Sequence, residues 1–282
     1  MRTLFQRKNR NEILTHFALI VIVLLVMAPV LFALAKSTQT RAEVYHFPPK
    51  LGFGSAGFFN FKVAWTQYDL GLYMKNTLIV AGIVMVLKTI FSMLAGLGLV
   101  YYDFPLKEWV FYFILFTLMM PTEIMIVALF NEVSDMAKAV GLENSYAVLT
   151  VPFLASATGV FLFRQHFASI PGELADAARV DGAGPLRFLW SVLVPISWNT
   201  IAALGLIQFI YMWNQYIWPL IIIRENKHQL IQVGLRSLTN QQDTTNWGLV
   251  MAAAILAMIP PMLIFLLLQE QFTKGFALGQ EK

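Results

Sequence analysis

Six stretches of this chain run for 18 to 24 residues with almost no charge: residues 17–35, 77–99, 109–130, 146–163, 200–223 and 248–268. At 1.5 Å of rise per residue such helices reach roughly 27–36 Å, enough to cross a ~30 Å hydrocarbon layer with some tilt. The runs are continuous rather than alternating, which predicts helices and not a β-barrel. Charged residues make up 13% of the 282 and hydrophobic ones 58%. A soluble domain carries about 25% charged residues, so this chain lacks the polar surface a water-bathed globule needs. The expectation is an all-α integral membrane protein with six transmembrane helices. Pro29, Pro121, Pro219, Pro260 and Pro261 fall within or at the ends of the runs, where neighbouring helices can satisfy the freed carbonyls.

Composition removes several kinds of chemistry. Cysteine is absent, which excludes disulfides, thiolate metal sites and a thiol nucleophile together. His16, His46, His166 and His228 are scattered over different segments, so no metal site is expected. The net charge of +4 requires no nucleic acid partner. No G-x-x-x-x-G-K-[ST] phosphate loop is present, so any ATP used must be bound by another subunit. Gly52, Gly54 and Gly57 formally match G-x-G-x-x-G, but no strand precedes them, and a turn-rich outer loop is expected there.

The first run is 19 residues long, more than the 7–15 of a signal-peptide core, which predicts an uncleaved anchor. Arg2, Arg7, Lys8 and Arg10 before it favour a cytoplasmic N-terminus. That orientation places ten Lys and Arg on the cytoplasmic side and nine outside, five of those in the long segment 36–75. The C-terminus is then cytoplasmic too. Outer loops fall at 36–75, 131–145 and 224–247, and no internal repeat is evident. The last of these loops mixes Arg236, Asn240, Gln241 and Gln242 with Leu230 and Leu238, which suits docking of another protein as well as simple solvation.

The polar segment between runs four and five reads IPGELADAARVDGAGP over residues 170–185. Pro171 suits a helix start, Glu173 complements the positive end, and Gly182 supplies a left-handed stop about ten residues on. Pro185 then suits a second helix over 186–193. A rigid helix on the membrane face is predicted, with small Ala177 and Ala178 where another surface can approach.

Asp176-Ala177-Ala178, Gly182 after three residues, and Val192-Leu193-Val194-Pro195 after nine more resemble the EAA loop of ABC importer permeases. Asp176 stands for Glu, Val192 for Ile and Val194 for Leu, with every spacing kept. The resemblance extends to Phe163-Arg164-Gln165, Trp213-Asn214-Gln215-Tyr216, Pro260-Pro261 and Phe272-Thr273-Lys274-Gly275, and is to carbohydrate-uptake permeases of the maltose type. Leu118-Met119-Met120-Pro121-Thr122-Glu123, Ala155-Ser156-Ala157-Thr158 and Met251-Ala252-Ala253-Ala254 narrow it to those serving sn-glycerol 3-phosphate. The resemblance implies a transport subunit of a bacterial inner-membrane importer, not an enzyme. Its partners would be a second, different permease, two ATPase subunits that use ATP and Mg, and a periplasmic solute-binding protein. This chain would bind no cofactor itself. It implies an N-terminal region at 1–70, a type-1 transmembrane domain at 71–270 and a cytoplasmic tail at 271–282. The coupling loop would comprise Glu173, Asp176, Ala177, Ala178, Asp181, Gly182 and Pro195. The substrate implied is sn-glycerol 3-phosphate or a glycerophosphodiester, with a neutral sugar or polyol as the alternative. A self-contained ion-coupled transporter is the rival from another class.

Lys88 lies eleven residues into its run, about 16 Å of helix rise from the outer end, too deep to snorkel. Its two readings are an ion pair with Glu123, about 6 Å away in depth, and direct contact with an anionic substrate. Trp213, Asn214, Gln215 and Tyr216 lie at a depth similar to Glu123. They could line the path for a polyol or serve as interhelical hydrogen-bonding glue.

Overall fold

The computed structural model describes residues 2–120, 122–239 and 245–277, with side chains from residue 12 onward except at 122–124, 272 and 274–277. Among the described residues every regular element is helical. The principal helices are α1 (Arg2–Ser37), α2 (Phe59–Gln67), α3 (Leu70–Tyr101), α4 (Lys107–Thr117), α5 (Thr122–Val140) and α6 (Tyr146–Thr150). They continue with α7 (Ala157–Ala168), α8 (Glu173–Val180), α9 (Trp198–Trp213), α10 (Ile217–Ile222), α11 (Ile231–Ser237) and α12 (Trp247–Ala277). Three stretches are long and apolar enough to cross a membrane unbroken: Glu12–Ser37, Leu70–Tyr101 and Trp247–Gln271. Two bent pairs, Tyr146–Phe153 with Ala157–Ala168 at 47° and Pro185–Ile196 with Trp198–Trp213 at 85°, raise the number of candidate spans to five. The protein is thus an all-helical membrane protein with three to five candidate spans, where six were expected.

Prolines account for the difference. The run at 109–130 divides into α4 and α5, with residues 118–120 forming a turn whose N–H groups bond carbonyls three residues back, just before Pro121. Helix α5 then continues to Val140 and ends at Gly141, whose φ is +68°, so most of the outer loop expected at 131–145 is helix. The run at 200–223 breaks at residues 214–216 because Pro219 has no N–H for the carbonyl of Gln215 and crowds it. In the run at 146–163, Pro152 likewise frees the carbonyl of Val148, which instead accepts the indole N–H of Trp218 at 2.9 Å.

The described residues fall into two compact units, within Met1–Leu70 with Leu235–Met258 and within Gly71–Gly234 with Ile259–Lys282. In the first, the chain after α1 folds back on the helix end. The Asn60 amide donates to the carbonyls of Ser37 and Gln39, each at 2.8 Å, and the Gln39 amide to those of Lys50 and Gly52 at 2.8 and 2.7 Å. The Glu43 carboxylate accepts Lys50 Nζ at 2.6 Å and the backbone N–H groups of Thr40 and Ser55, each at 3.0 Å. The Lys50 hydrogen bond first, then those two N–H groups, lower its pKa from 4.5 to about 2.

In the second unit, α3 and α7 pack at glycine contacts. A Cβ at Gly159 would overlap Ser92 Oγ, and one at Gly96 would lie 2.8 Å from Phe163 Cβ. Close approach through small residues is how helices associate in lipid, where no hydrophobic force draws them together. Gly205 of α9 faces Met85 of α3 less tightly, since a Cβ there would lie 3.5 Å from Met85 Cγ, in ordinary contact.

Gly159→Val should therefore destabilise the bundle by about 1–3 kcal/mol, read as a lower melting temperature of the purified importer. Gly82→Ala and Gly98→Ala, where nothing lies within 4 Å of a new Cβ, should not lower it. The Glu43 contacts stabilise this loop fully above the carboxyl's ordinary 4.5 and are lost as pH falls through about 2. Amide exchange over residues 40–55 should rise in Glu43→Gln at neutral pH, but in the parent only toward that acid limit.

Candidate functional site

Helix α8 is eight residues long where about ten were expected, and its ends follow the sequence signals. The first turn begins on the carbonyls of Pro171 and Gly172, with Glu173 and Asp176 at the positive end. At the other end Gly182 has φ +71° and Ala183 N–H returns to the Ala178 carbonyl at 2.9 Å, the left-handed closure that glycine permits.

The helix has two distinct faces. Ala175 and Ala178 are buried on a core that includes Met93, Leu97, Phe163, Phe167 and Phe188. Tyr101 strengthens that seat, its ring edge-on to Phe188 at 5.2 Å and its hydroxyl donating to the Phe167 carbonyl at 3.3 Å. Glu173, Asp176, Ala177, Asp181 and Gly182 are exposed. The expected contact set is thus divided: Ala178 fastens the helix inward, while the other five of these residues face out. Val180, 87% exposed, and Leu174 belong to the outward surface and were missed. An Asp176–Arg179 pair at 3.2 Å lies on it too, exposed enough to contribute little to stability.

Beyond α8, residues Pro185–Phe188 lead through a π turn, Leu189–Leu193, to Val194–Ile196 and the 85° bend into α9. Pro195, exposed at this corner, lacks the N–H that would bond the Ser191 carbonyl and crowds it, widening the turn there. Arg164, of the motif preceding α8, spans to Glu108 at 3.3 Å and lies 3.9 Å from the centroid of the Phe111 ring, tying α7 to α4.

Lys88 sits in α3 with only 8% of its surface exposed. Its Nζ lies 5.3 Å from the centroid of the Tyr211 ring on α9. Among the described side chains no carboxylate lies within ion-pair distance of it, and the Glu123 side chain is outside the described residues. A lysine at mid-bilayer costs roughly 2.5–3.5 kcal/mol on insertion scales, and a cation–π contact returns about 0.5–1 kcal/mol when exposed and about 2 kcal/mol or more when desolvated. Tyr211 was missed, although Gln208, Tyr211 and Gln215 recur at intervals of three and four in an otherwise apolar run and so share a helix face.

Of the four residues expected at the depth of Glu123, Trp213 ends α9 and the other three form the break before α10. Trp213 is buried and stacks on Phe209 at 5.6 Å, and the Asn214 amide donates to the Ile210 carbonyl at 2.9 Å. Gln232 bonds both the Trp213 carbonyl and Asn214 Oδ1 at 3.3 Å, while Gln215 and Tyr216 are half-buried. Further along, the segment expected as the last outer loop is fastened down. The amide of Asn76, itself holding the Tyr146 hydroxyl at 2.7 Å, donates to the carbonyls of Lys227 and Gln229 at 2.9 and 3.0 Å. Leu230 and Leu238 are buried, and Asn240, Gln241 and Gln242 lie outside the described residues. No group of His, Asp or Glu among the described residues is placed to hold a metal ion.

The pattern of the binding-protein-dependent transport system inner membrane component family matches residues 88–277. The chain belongs to this family. It is a multi-pass permease subunit of a bacterial ABC transporter that works with a solute-binding protein, and a transport subunit rather than an enzyme. That membership removes the self-contained ion-coupled transporter. The permease is 37% identical over 280 residues to the sn-glycerol-3-phosphate transport system permease protein UgpE of Rhizobium meliloti (strain 1021), covering 96% of this chain and 98% of that one. Its identity to the UgpE of Brucella melitensis biotype 1 is 36%, with the same coverage. A crystal structure of a bacterial ABC transporter involved in the import of the acidic polysaccharide alginate contains a chain of the same fold, at TM-score 0.80 and 20% identity over 93% of this chain and 96% of that chain.

Filling the inner face of α8 should loosen it and filling the outer face should not. Ala178→Leu is expected to speed amide exchange across residues 173–181 of the permease, while Ala177→Leu leaves it at the parent rate.

Proposed function

We propose that this permease carries sn-glycerol 3-phosphate, and glycerophosphodiesters, into the cytoplasm. The observation behind this reading is the 36–37% identity to UgpE proteins over nearly the whole of both chains. A buried lysine without a carboxylate partner among the described side chains suits a cargo that carries fixed negative charge. In this reading the chain crosses the membrane six times with both termini in the cytoplasm. Residues 71–270 then form the translocating domain beside a second, different permease.

The exposed face of α8 is assigned to the ATPase subunit. Glu173, Asp176, Ala177, Asp181 and Gly182 would seat in a groove of that subunit, and Ala178 would hold the helix to the permease core. A stiff helix with a packed inner face passes on a rigid-body shift that a loose loop would absorb. The 85° corner after Pro195 would turn that shift into movement of α9.

Two measurements test the reading. Cells lacking the gene should lose uptake of labelled sn-glycerol 3-phosphate, and excess neutral sugar should not compete for uptake in cells that have it. Unchanged uptake would return the substrate to an unidentified sugar or polyol. Gly182→Leu and Asp176→Lys should uncouple ATP hydrolysis from uptake while the protein stays in the membrane. Normal uptake in both variants would remove α8 from the coupling role.

A further inference from the structure

Lys88 lies level with the break in the bent pair Tyr146–Phe153 and Ala157–Ala168. Ser92 abuts Gly159, and Gly96 abuts Phe163. Both steps are four residues in the same direction, so α3 and α7 run parallel and in register. One turn earlier, Lys88 is level with residue 155, between the two halves of the pair. Ser156 caps the second half, its Oγ accepting the Gly159 N–H at 3.0 Å. The same hydroxyl oxygen receives the Gln208 amide at 3.3 Å from α9. One turn further along α9 is Tyr211, the ring that faces the Lys88 ammonium at 5.3 Å.

Two positive features therefore meet at one level. One is the ammonium of Lys88, 8% exposed and without a hydrogen-bond acceptor among the described residues. The other is the opening turn of α7, a twelve-residue helix in which Gly159 N–H is taken by Ser156 Oγ and Val160 N–H by the Ser156 carbonyl, leaving the N–H groups of Ala157 and Thr158 at its positive end. Neither can neutralise the other, and the Tyr211 face satisfies the ammonium only in part. An anion completes the set, as at the half-helix ends of broken membrane spans.

We propose that Lys88, Tyr211, Gln208 and the first turn of α7 form a station for the phosphate group of an ester in transit, an inference that rests on the phosphate-ester reading of the importer. The ammonium pairs with the phosphate oxygens, the Ala157 and Thr158 N–H groups donate to them, and the Tyr211 ring backs the lysine. Gln208 holds Ser156, and with it the opening of α7.

The complete importer in lipid nanodiscs, carrying Tyr211→Trp, reports on the station directly. Titration with sn-glycerol 3-phosphate or inorganic phosphate should give a saturable change in emission relative to the parent, and glycerol should give none. Adding Lys88→Met should abolish the change. No change with either phosphate, or an equal change without Lys88, overturns the station. If the parent does not transport sn-glycerol 3-phosphate yet inorganic phosphate still shifts the emission, the substrate reading fails and the station stands.

In proteoliposomes, Lys88→Met should lower uptake about tenfold or more, with stimulation of ATP hydrolysis by the loaded binding protein retained. Lys88→Arg should keep most of the uptake. Recovery of uptake in Lys88→Met with Glu123→Gln would show a structural ion pair and overturn the assignment.

Discussion

The contact of α3 with α7 through Gly159 and Gly96 is what the rest of the second unit depends on. In lipid a helix pair is held by closeness of fit, and here two side-chain-free positions let the axes approach along successive turns. That approach brings Phe163 and Phe167 of α7 beside Leu97 and Met93 of α3, and these build the floor under α8. It also fixes the level at which Lys88 meets the interrupted run. Leu97 and Lys88 are nine residues apart on a single helix, about 14 Å of rise. One rigid element thus joins the seat of the surface helix to the buried cation.

Prolines shape the rest, and each freed carbonyl has an identifiable fate. Trp218 takes up the carbonyl that Pro152 leaves, so α10 is pinned to the end of α6. Pro219 opens the stretch that Asn214 and Gln232 tie together. Pro195 widens the turn at the corner into α9. A chain with these interruptions makes fewer uninterrupted spans than its hydropathy suggests, yet leaves non-helical backbone only where protein groups can satisfy it.

Much of this was legible from the residues. The long runs became α1, α3 and α12 because nothing interrupts them before their ends apart from Pro29, Pro260 and Pro261, which lie inside helices. Pro171 and Gly182 placed α8 because both act through local backbone geometry. The burial of Lys88 follows from its place in the middle of one apolar helix. Its partner did not, because Tyr211 faces Lys88 only through the relative register of α3 and α9, which packing decides. The inward turn of Ala178 was hidden for a related reason: alanine suits either a close external contact or a tight internal one, and only the aromatic floor beneath decides between them. The amide–aromatic group at 213–216 was legible as polar, but its tie to Gln232 was not, since Gln232 reaches it from outside its own run.

We assign the outward face of α8, on a helix fastened from beneath, as the seat of an ATPase subunit. The chain has no cysteine, so a single thiol can be placed without background. Maleimide labelling of Ala177→Cys in membranes, with and without the ATPase subunits, measures that contact directly. Ready labelling is expected in their absence and strong protection in their presence, with Ala178→Cys poorly reactive in both. Equal labelling of Ala177→Cys with and without the ATPase subunits would contradict that assignment.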